Sequence, residues 1–333
     1  MPEASEKDLL HTGAALVAHP VRGVVRVTGP DRASWLQGLL TNDIEALTPG
    51  RGCYAAWLTP QGRMLTDAVV LAEPDAITLE VPRPLADTVA RSLAAAVFAE
   101  DVTIVDESAA WAAVGVHGAT AAAAVARTLA ATTPELTAET LAAWSEFTHA
   151  AVDGRARLAR RDTFGSPGYV ARVPAETADH WLSRLRLAGA TLTPAAALDY
   201  ARIEAGRAEF LIDMDADTIP LEAGLEDRAI SFTKGCYVGQ EVIVRVLHRG
   251  GGRVARRLVG LVVEGEAVPA ARAVVSGPNG DAGRVTSAAW SPRLARAVAL
   301  AYVHRDLAEP GTAVRVACGG EPTAATVRAF PLA

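Results

Sequence analysis

The sequence predicts an α+β fold of two ferredoxin-like units followed by a small C-terminal β-barrel. Three observations carry this reading. Two consecutive stretches repeat one order of elements, strand–helix–three strands–helix–strand. The glycine triplet Gly250–Gly252 then marks a linker. Beyond it, short apolar runs alternate with Gly/Pro turns, the texture of an all-β module.

The first unit is read over residues 20–106. Gly23–Thr28 is a short apolar strand broken by Gly29-Pro30-Asp31, and Asp31 can cap a helix through Trp35, Leu36, Leu39 and Leu40. Cys53–Leu58 and Met64–Leu71 are strands across the turn Thr59-Pro60-Gln61-Gly62, and Ile77–Val81 follows the turn at Pro74-Asp75. Pro84–Phe98 has helical periodicity through Leu85, Val89, Leu93 and Val97, and Val102–Val105 closes the unit. The second unit, 107–193, repeats the order. Its strands are Trp111–Val116, Trp144–Val152, Arg155–Arg160 and Gly168–Val173, and its helices are Ala119–Ala131 and Ala175–Leu187. Residues 194–252 hold a helix at Leu198–Ala205, an irregular acid-rich stretch, and Val238–Leu247, which periodicity leaves open between helix and strand. Six short strands fill 253–333, namely Leu258–Val263, Ala273–Val275, Gly283–Thr286, Ala297–Tyr302, Val314–Ala317 and Ala325–Ala329.

Composition narrows the function. The 333 residues are 50% hydrophobic and 21% charged, which suits two or three globular domains. A formal net charge of −6 argues against general nucleic-acid binding. No apolar run is long enough for a membrane span, and the N-terminal residues lack a signal-peptide pattern, so the expected location is cytoplasmic. The three cysteines, Cys53, Cys236 and Cys318, are too sparse and too widely spaced for a disulfide framework or a metal-binding pair, and no metal site is expected.

Lysine occurs only at Lys7 and Lys234, while Lys and Arg total 32. A position that keeps an ammonium in so arginine-rich a chain is a candidate for a specific need. Lys234 opens the densest segment, Lys234-Gly235-Cys236-Tyr237-Val238-Gly239-Gln240-Glu241. A nearby cation or a helix start would favour the Cys236 thiolate, and the glycines allow close approach of a ligand. The alternative is a small apolar residue in a tight turn. Arg249 and Arg253 flank the glycine triplet and suit a carboxylate or phosphate, or else belong to a solvated linker. Asp67 is a carboxylate inside an otherwise apolar strand, so if buried it needs a donor. The run Asp213–Glu222 lacks EF-hand order and reads as a loop lining a pocket.

The K-G-C-Y-V-G-Q-E segment resembles the hallmark of the YgfZ family of folate-binding iron–sulfur maintenance proteins. Gln37–Asp43, Pro60–Leu65, Arg202–Gly206 and Asp213–Leu225 are similar both to that family and to its relative, the glycine-cleavage T-protein. The resemblance implies two α+β units around a central folate-type cavity, with 194–252 packing back on it. It implies tetrahydrofolate as cofactor, iron–sulfur client or assembly proteins as partners, and Cys236 as the reactive group with Lys234 favouring its thiolate. Folate contacts would fall on Asp67, Gly235, Tyr237, Gly239, Gln240, Glu241 and Glu222, with Arg249 or Arg253 on the glutamate tail. Asp67 matches the T-protein aspartate that contacts folate and orients the reacting amine. The T-protein's pterin-gripping loop aligns near Arg161–Val170, where its tyrosine and closing glutamate are lost. The expected function is therefore iron–sulfur cluster assembly or repair through Cys236. The alternative is a folate-dependent aminomethyl- or methyltransferase centred on Asp67.

Overall fold

The computed structural model describes residues 9–18, 22–248 and 253–332. A short helix α1 (Leu9–Thr12) and strand β1 (Ala15–Ala18) come first. The first unit runs β2 (Gly23–Thr28), α2 (Arg32–Gln37), β3 (Gly52–Leu58), β4 (Met64–Ala72), β5 (Ala76–Val81), α3 (Ala86–Ala95) and β6 (Thr103–Asp106). The second runs β7 (Trp111–His117), α4 (Ala121–Leu129), α5 (Ala138–Ala142), β8 (His149–Ala151), β9 (Arg157–Arg160), β10 (Gly168–Pro174), α6 (Ala178–Leu187) and β11 (Thr191–Leu192). Helices α7 (Asp199–Glu204), α8 (Glu226–Ala229) and α9 (Gln240–His248) lead to the barrel strands. These are β12 (Arg256–Val263), β13 (Val274–Gly277), β14 (Gly280–Ser291), β15 (Arg296–His304), β16 (Ala313–Cys318) and β17 (Glu321–Arg328).

The repeated order of elements is repeated in space. The first sheet has the order β3-β4-β5-β2-β6, and the second, from its far edge, reads β8-β9-β10-β7-β1-β11. The two match strand for strand except that β1 is inserted, antiparallel to β7 and parallel to β11. This four-residue strand escapes the sequence reading, and it places an N-terminal segment in the second unit's sheet. The barrel closes in the order β12-β15-β14-β13-β16-β17. Val238–Leu247, open between helix and strand, is helical as α9. Asp31 holds the N-cap position of α2 but does not cap it through its side chain. Its carboxylate instead accepts the Asp101 N–H at 2.8 Å. Among the described residues no helix is long and apolar enough to cross a membrane.

Each sheet has two buried faces, as its near-continuous apolar strands require. One face of the first sheet, with Val25, Val27, Ala55, Ala68, Val70 and Leu79, packs on α2 and α3. The equivalent face of the second, with Val114, Val116, Leu158, Ala171 and Val173, packs on α4 and α6. By strand alternation the opposite faces carry Tyr54, Asp67, Val69 and Glu80 on one sheet and Ala113, Val170 and Arg172 on the other. These two faces meet in the middle of the molecule.

Ion pairs join them. Glu73, just after β4, takes Arg172 at 2.7 Å and Arg157 at 3.1 Å from the second sheet, and Arg26 of β2 at 3.4 Å. Glu80 of β5 pairs with Arg161 and lies 3.9 Å from Arg172. The barrel is tied in by Arg202 of α7, which pairs with Asp213 at 2.6 Å and donates to Ser287 of β14 at 2.9 Å.

Burial pushes the Glu73 carboxyl up, but Arg172 and Arg157 pull it further down, so it lies below its ordinary value. Its stabilising contribution is then complete above the unfolded pKa of about 4.3 and is lost as pH falls through the lower folded value. Replacing Glu73 by Ala leaves three guanidiniums short of a partner and is expected to cost about 3 kcal/mol or more. Glu73→Gln is expected to flatten the acid limb of the stability curve. Urea unfolding midpoints between pH 3 and 7 check both effects.

Candidate active site

The facing surfaces of the two sheets enclose a cavity. Its wall includes Val24, Tyr54, Asp67, Val69 and Glu80 from the first unit, and Trp111, Arg161, Phe164, Val170 and Arg172 from the second. Arg202, Arg207, Glu209 and Arg228 close it from the segment that leads to the barrel.

Asp67 lies at the centre of β4, paired across the ladder with Ala56 of β3, and is only 2% exposed. It has the donors that burial demands. The Tyr54 hydroxyl donates to Oδ2 at 2.7 Å, and Arg22, just before β2, donates to Oδ1 at 2.7 Å. Arg22 is itself held by its Nε–H donating to the Glu80 carbonyl at 3.1 Å. Burial, reinforced by the Asp67 charge, pushes the Tyr54 hydroxyl well above its ordinary pKa, so it stays protonated as a donor. A carboxylate has about four acceptor positions, and these two bonds leave capacity for an N–H group entering the cavity. Apolar and aromatic walls with a few fixed polar groups are the composition of a small-molecule site.

Of the individual candidate site residues named from sequence, Asp67 alone lines this cavity, and the Arg161–Val170 stretch aligned with the pterin-gripping loop adds Arg161, Thr163, Phe164 and Val170 to its wall. The Lys234–Glu241 segment does not. The Lys234 ammonium donates to the carbonyls of Gln37 at 2.6 Å, Leu40 at 2.6 Å and Asn42 at 2.8 Å. It therefore closes the C-terminal end of α2, where unpaired carbonyls concentrate negative charge. Three converging acceptors suit a tetrahedral ammonium and not a planar guanidinium, which explains a lysine in an arginine-rich chain. The expected partnership with Cys236 is corrected accordingly, because all three Lys234 donors are committed to carbonyls. The thiol that feels the Lys234 charge is Cys53, and burial pushes that thiol up to about 12 despite it.

In the rest of the segment Tyr237 and Gly239 pack, while Cys236 and Glu241 are exposed. Cys236 is exposed and lies four residues before α9, so no helix start activates it. Tyr237 is buried in the central apolar cluster beneath the Lys234 ammonium. Gly239 has φ +85°, and a Cβ there would meet the Thr59 carbonyl at 2.6 Å, so its freedom serves the approach of the Thr59–Gly62 turn. Gly235 has open space around it, Gln240 begins α9, and Glu241 is exposed in its first turn. Glu222 pairs with Arg256 at 3.1 Å in a separate cleft with Arg63, Asp217 and His304. Arg253 borders a third cleft at the barrel end with Arg257, Arg305 and Arg328. Arg249 lies outside the described residues.

Sequence reasoning missed Arg22, Tyr54, Glu80, Arg172, Arg207, Glu209 and Arg228 as cavity residues. A usable signal existed for two of them, since Glu80 and Arg172 are charges inside apolar strands, as Asp67 is.

The comparisons with known proteins fit this architecture. Residues 3–234 match the GCVT N-terminal domain family, and residues 256–333 match the glycine cleavage T-protein C-terminal barrel domain. The chain belongs to the glycine-cleavage T-protein family. It is 32% identical over 317 residues to an aminomethyltransferase of Cutibacterium acnes, covering 93% of this chain and 84% of that protein. It is 31% identical over 316 residues to an aminomethyltransferase of Streptomyces coelicolor, covering 93% and 83%. The crystal structure of glycine cleavage system aminomethyltransferase T from Bartonella henselae superposes with a TM-score of 0.87 at 21% identity, over 99% of this chain and 89% of that one. This last likeness shows the fold.

These relatives overturn the expected iron–sulfur role. They are named aminomethyltransferases, and none of these findings carries the narrower resemblance to the iron–sulfur maintenance branch. The K-G-C-Y-V-G-Q-E segment misled because its residues serve helix closure and turn packing.

Replacing Lys234 by Met takes the ammonium from the carbonyls of Gln37 at the end of α2 and of Leu40 and Asn42 after it, and the expected loss is about 2 kcal/mol or more. Lys234→Arg is expected to recover less than half of it. Urea midpoints of the three proteins, compared at pH 7, check this.

Proposed function

We propose that this protein is a folate-dependent transferase that moves an aminomethyl-type one-carbon unit to tetrahydrofolate, with Asp67 as the reacting-group carboxylate. The observation that carries this reading is the placement of Asp67, buried in the central cavity with both oxygens fixed and acceptor capacity left over. Membership of the T-protein family and relatives named aminomethyltransferase support it.

The cavity residues fit a folate. Val24, Val69, Val170, Trp111 and Phe164 give a flat ring system apolar and aromatic surfaces, and the arginines offer partners for carboxylates. When bound, tetrahydrofolate supplies the nitrogen that accepts the one-carbon unit. The chain supplies position and charge. Asp67 accepts an N–H and stabilises positive charge developing on the reacting amine, in a site screened from water by both sheets. Tyr54 and Arg22 hold the carboxylate in one orientation, so no reorganisation is needed as charge develops. Val170, where the family carries its closing glutamate, lines the cavity without a polar group. Glu209, whose carboxyl is pushed up by burial, is a second acid on the wall.

The test is turnover of tetrahydrofolate with an aminomethyl donor, followed as loss of tetrahydrofolate. Asp67→Asn is expected to lower kcat/KM by about 100-fold or more. Cys236→Ala is expected to stay within about twofold, as suits an exposed side chain away from the reacting groups. Full activity in Asp67→Asn, or its loss in Cys236→Ala, would contradict the proposal.

A further inference from the structure

Arg207 and Arg228 stand at the cavity without enough negative charge to match them. Both line its wall, with side chains 27% and 26% exposed, so a ligand can reach them. They share one carboxylate, Glu146, which takes Arg228 at 2.7 Å and Arg207 only at 3.6 Å. Among the described residues no hydrogen bond engages the Arg207 guanidinium, and the Arg228 Nε has no partner. Burial and the Arg228 charge both pull the Arg207 guanidinium below its ordinary value, as expected where two cations crowd together. Two forks sharing one carboxylate, which hydrogen-bonds only Arg228, form an anion-binding arrangement.

Its position relative to Asp67 gives it meaning. The Arg228 guanidinium stacks over the Tyr54 ring, 4.7 Å from its centroid, and over Phe147 at 5.5 Å. The same Tyr54 donates its hydroxyl to Asp67 at 2.7 Å. One aromatic ring therefore separates the Arg228 guanidinium, with Arg207 beside it on the wall, from the Asp67 carboxylate, and all three line one cavity. Such a pair of poles suits a ligand with an amine at one end and a carboxylate at the other.

Resting on the transferase reading, we propose that Arg207 and Arg228 bind a ligand carboxylate and so place that ligand's amine-bearing part at Asp67. The carboxylate has two sources, the glutamate tail of the folate or a small N-methylated amino acid bound as an amine donor of N–H bonds to Asp67, with no carbon transferred from it. Glu209 on the same wall disfavours a second anion and confines the carboxylate to the Arg207–Arg228 side.

Isothermal titration of the full chain tests this with matched ligand pairs. One pair is 5-formyltetrahydrofolate and the same molecule without its glutamate. The other is N-methylglycine and N-methylethanolamine, in which an alcohol replaces the carboxylate. The expected result is that in at least one pair the carboxylate member binds wild type tenfold or more tightly, and that Arg207→Gln removes this preference while leaving the partner compound unchanged. A preference in the first pair assigns the site to the folate tail, and one in the second to the amine donor. Arg207 is suited to substitution because its one ion pair is long, and the wild-type comparison stands even if the variant is unstable. Equal binding within both pairs, or a preference that survives Arg207→Gln, overturns the proposal. If neither folate compound binds, the transferase reading fails, and the N-methylglycine pair still decides the carboxylate site.

Discussion

The two sheets of this protein meet through an apolar cluster and, around the cavity, through buried ion pairs. An apolar seam between two sheets would close to contact. Here β4, β5 and the turn between them present Asp67, Glu73 and Glu80, and the second sheet answers with Arg157, Arg161 and Arg172. Long guanidinium side chains bridge a gap that apolar side chains would fill. Once the gap is held open, its wall contains buried charges that are stable only while paired. Asp67 belongs to this layer, with both partners from its own unit, Tyr54 on the neighbouring strand β3 and Arg22 just before β2.

That layer also ties the halves and the barrel to the site. Glu73 reaches Arg26 on its own sheet and Arg157 and Arg172 on the other, and with the Glu80–Arg161 pair it fixes how the units face each other. Arg202, on the helix that follows the second unit, lines the cavity and pairs with Asp213, which accepts from Thr286 and Ser287 of the barrel. The R-I-E-A-G and D-M-D segments thus link the barrel to the cavity wall, which is why they stand out in the sequence although neither holds the reacting carboxylate.

Most of the architecture was legible because it is periodic. The strand–helix–three strands–helix–strand order and the six barrel strands follow from local pattern, while the Gly250–Gly252 linker lies outside the described residues. β1 was not, because four apolar residues pair only with partners about a hundred residues or more away. The site was legible at Asp67 and in the Arg161–Val170 stretch, which lines the cavity through Arg161, Thr163, Phe164 and Val170. Asp67 announced itself as a carboxylate within an apolar strand, and that argument applied to Glu80 and Arg172 would have found more of the wall. Arg22, Tyr54, Arg207 and Arg228 carry no such mark, since only the facing of two sheets brings them together. Lys234 and Cys236 show the opposite failure. A dense, unusual motif drew a chemical reading, but its lysine binds carbonyls at and after the end of α2 and its Gly239 lets a turn approach.

The central claim is that the cavity between the sheets is the folate and one-carbon site, with Asp67 at the reacting end. The most direct measurement is a crystal structure of the full chain with 5-formyltetrahydrofolate. The account predicts the pterin ring between the two sheets with a ring N–H in hydrogen-bond reach of Asp67. A folate seated beside Cys236, or in the barrel cleft with Arg253, would contradict it.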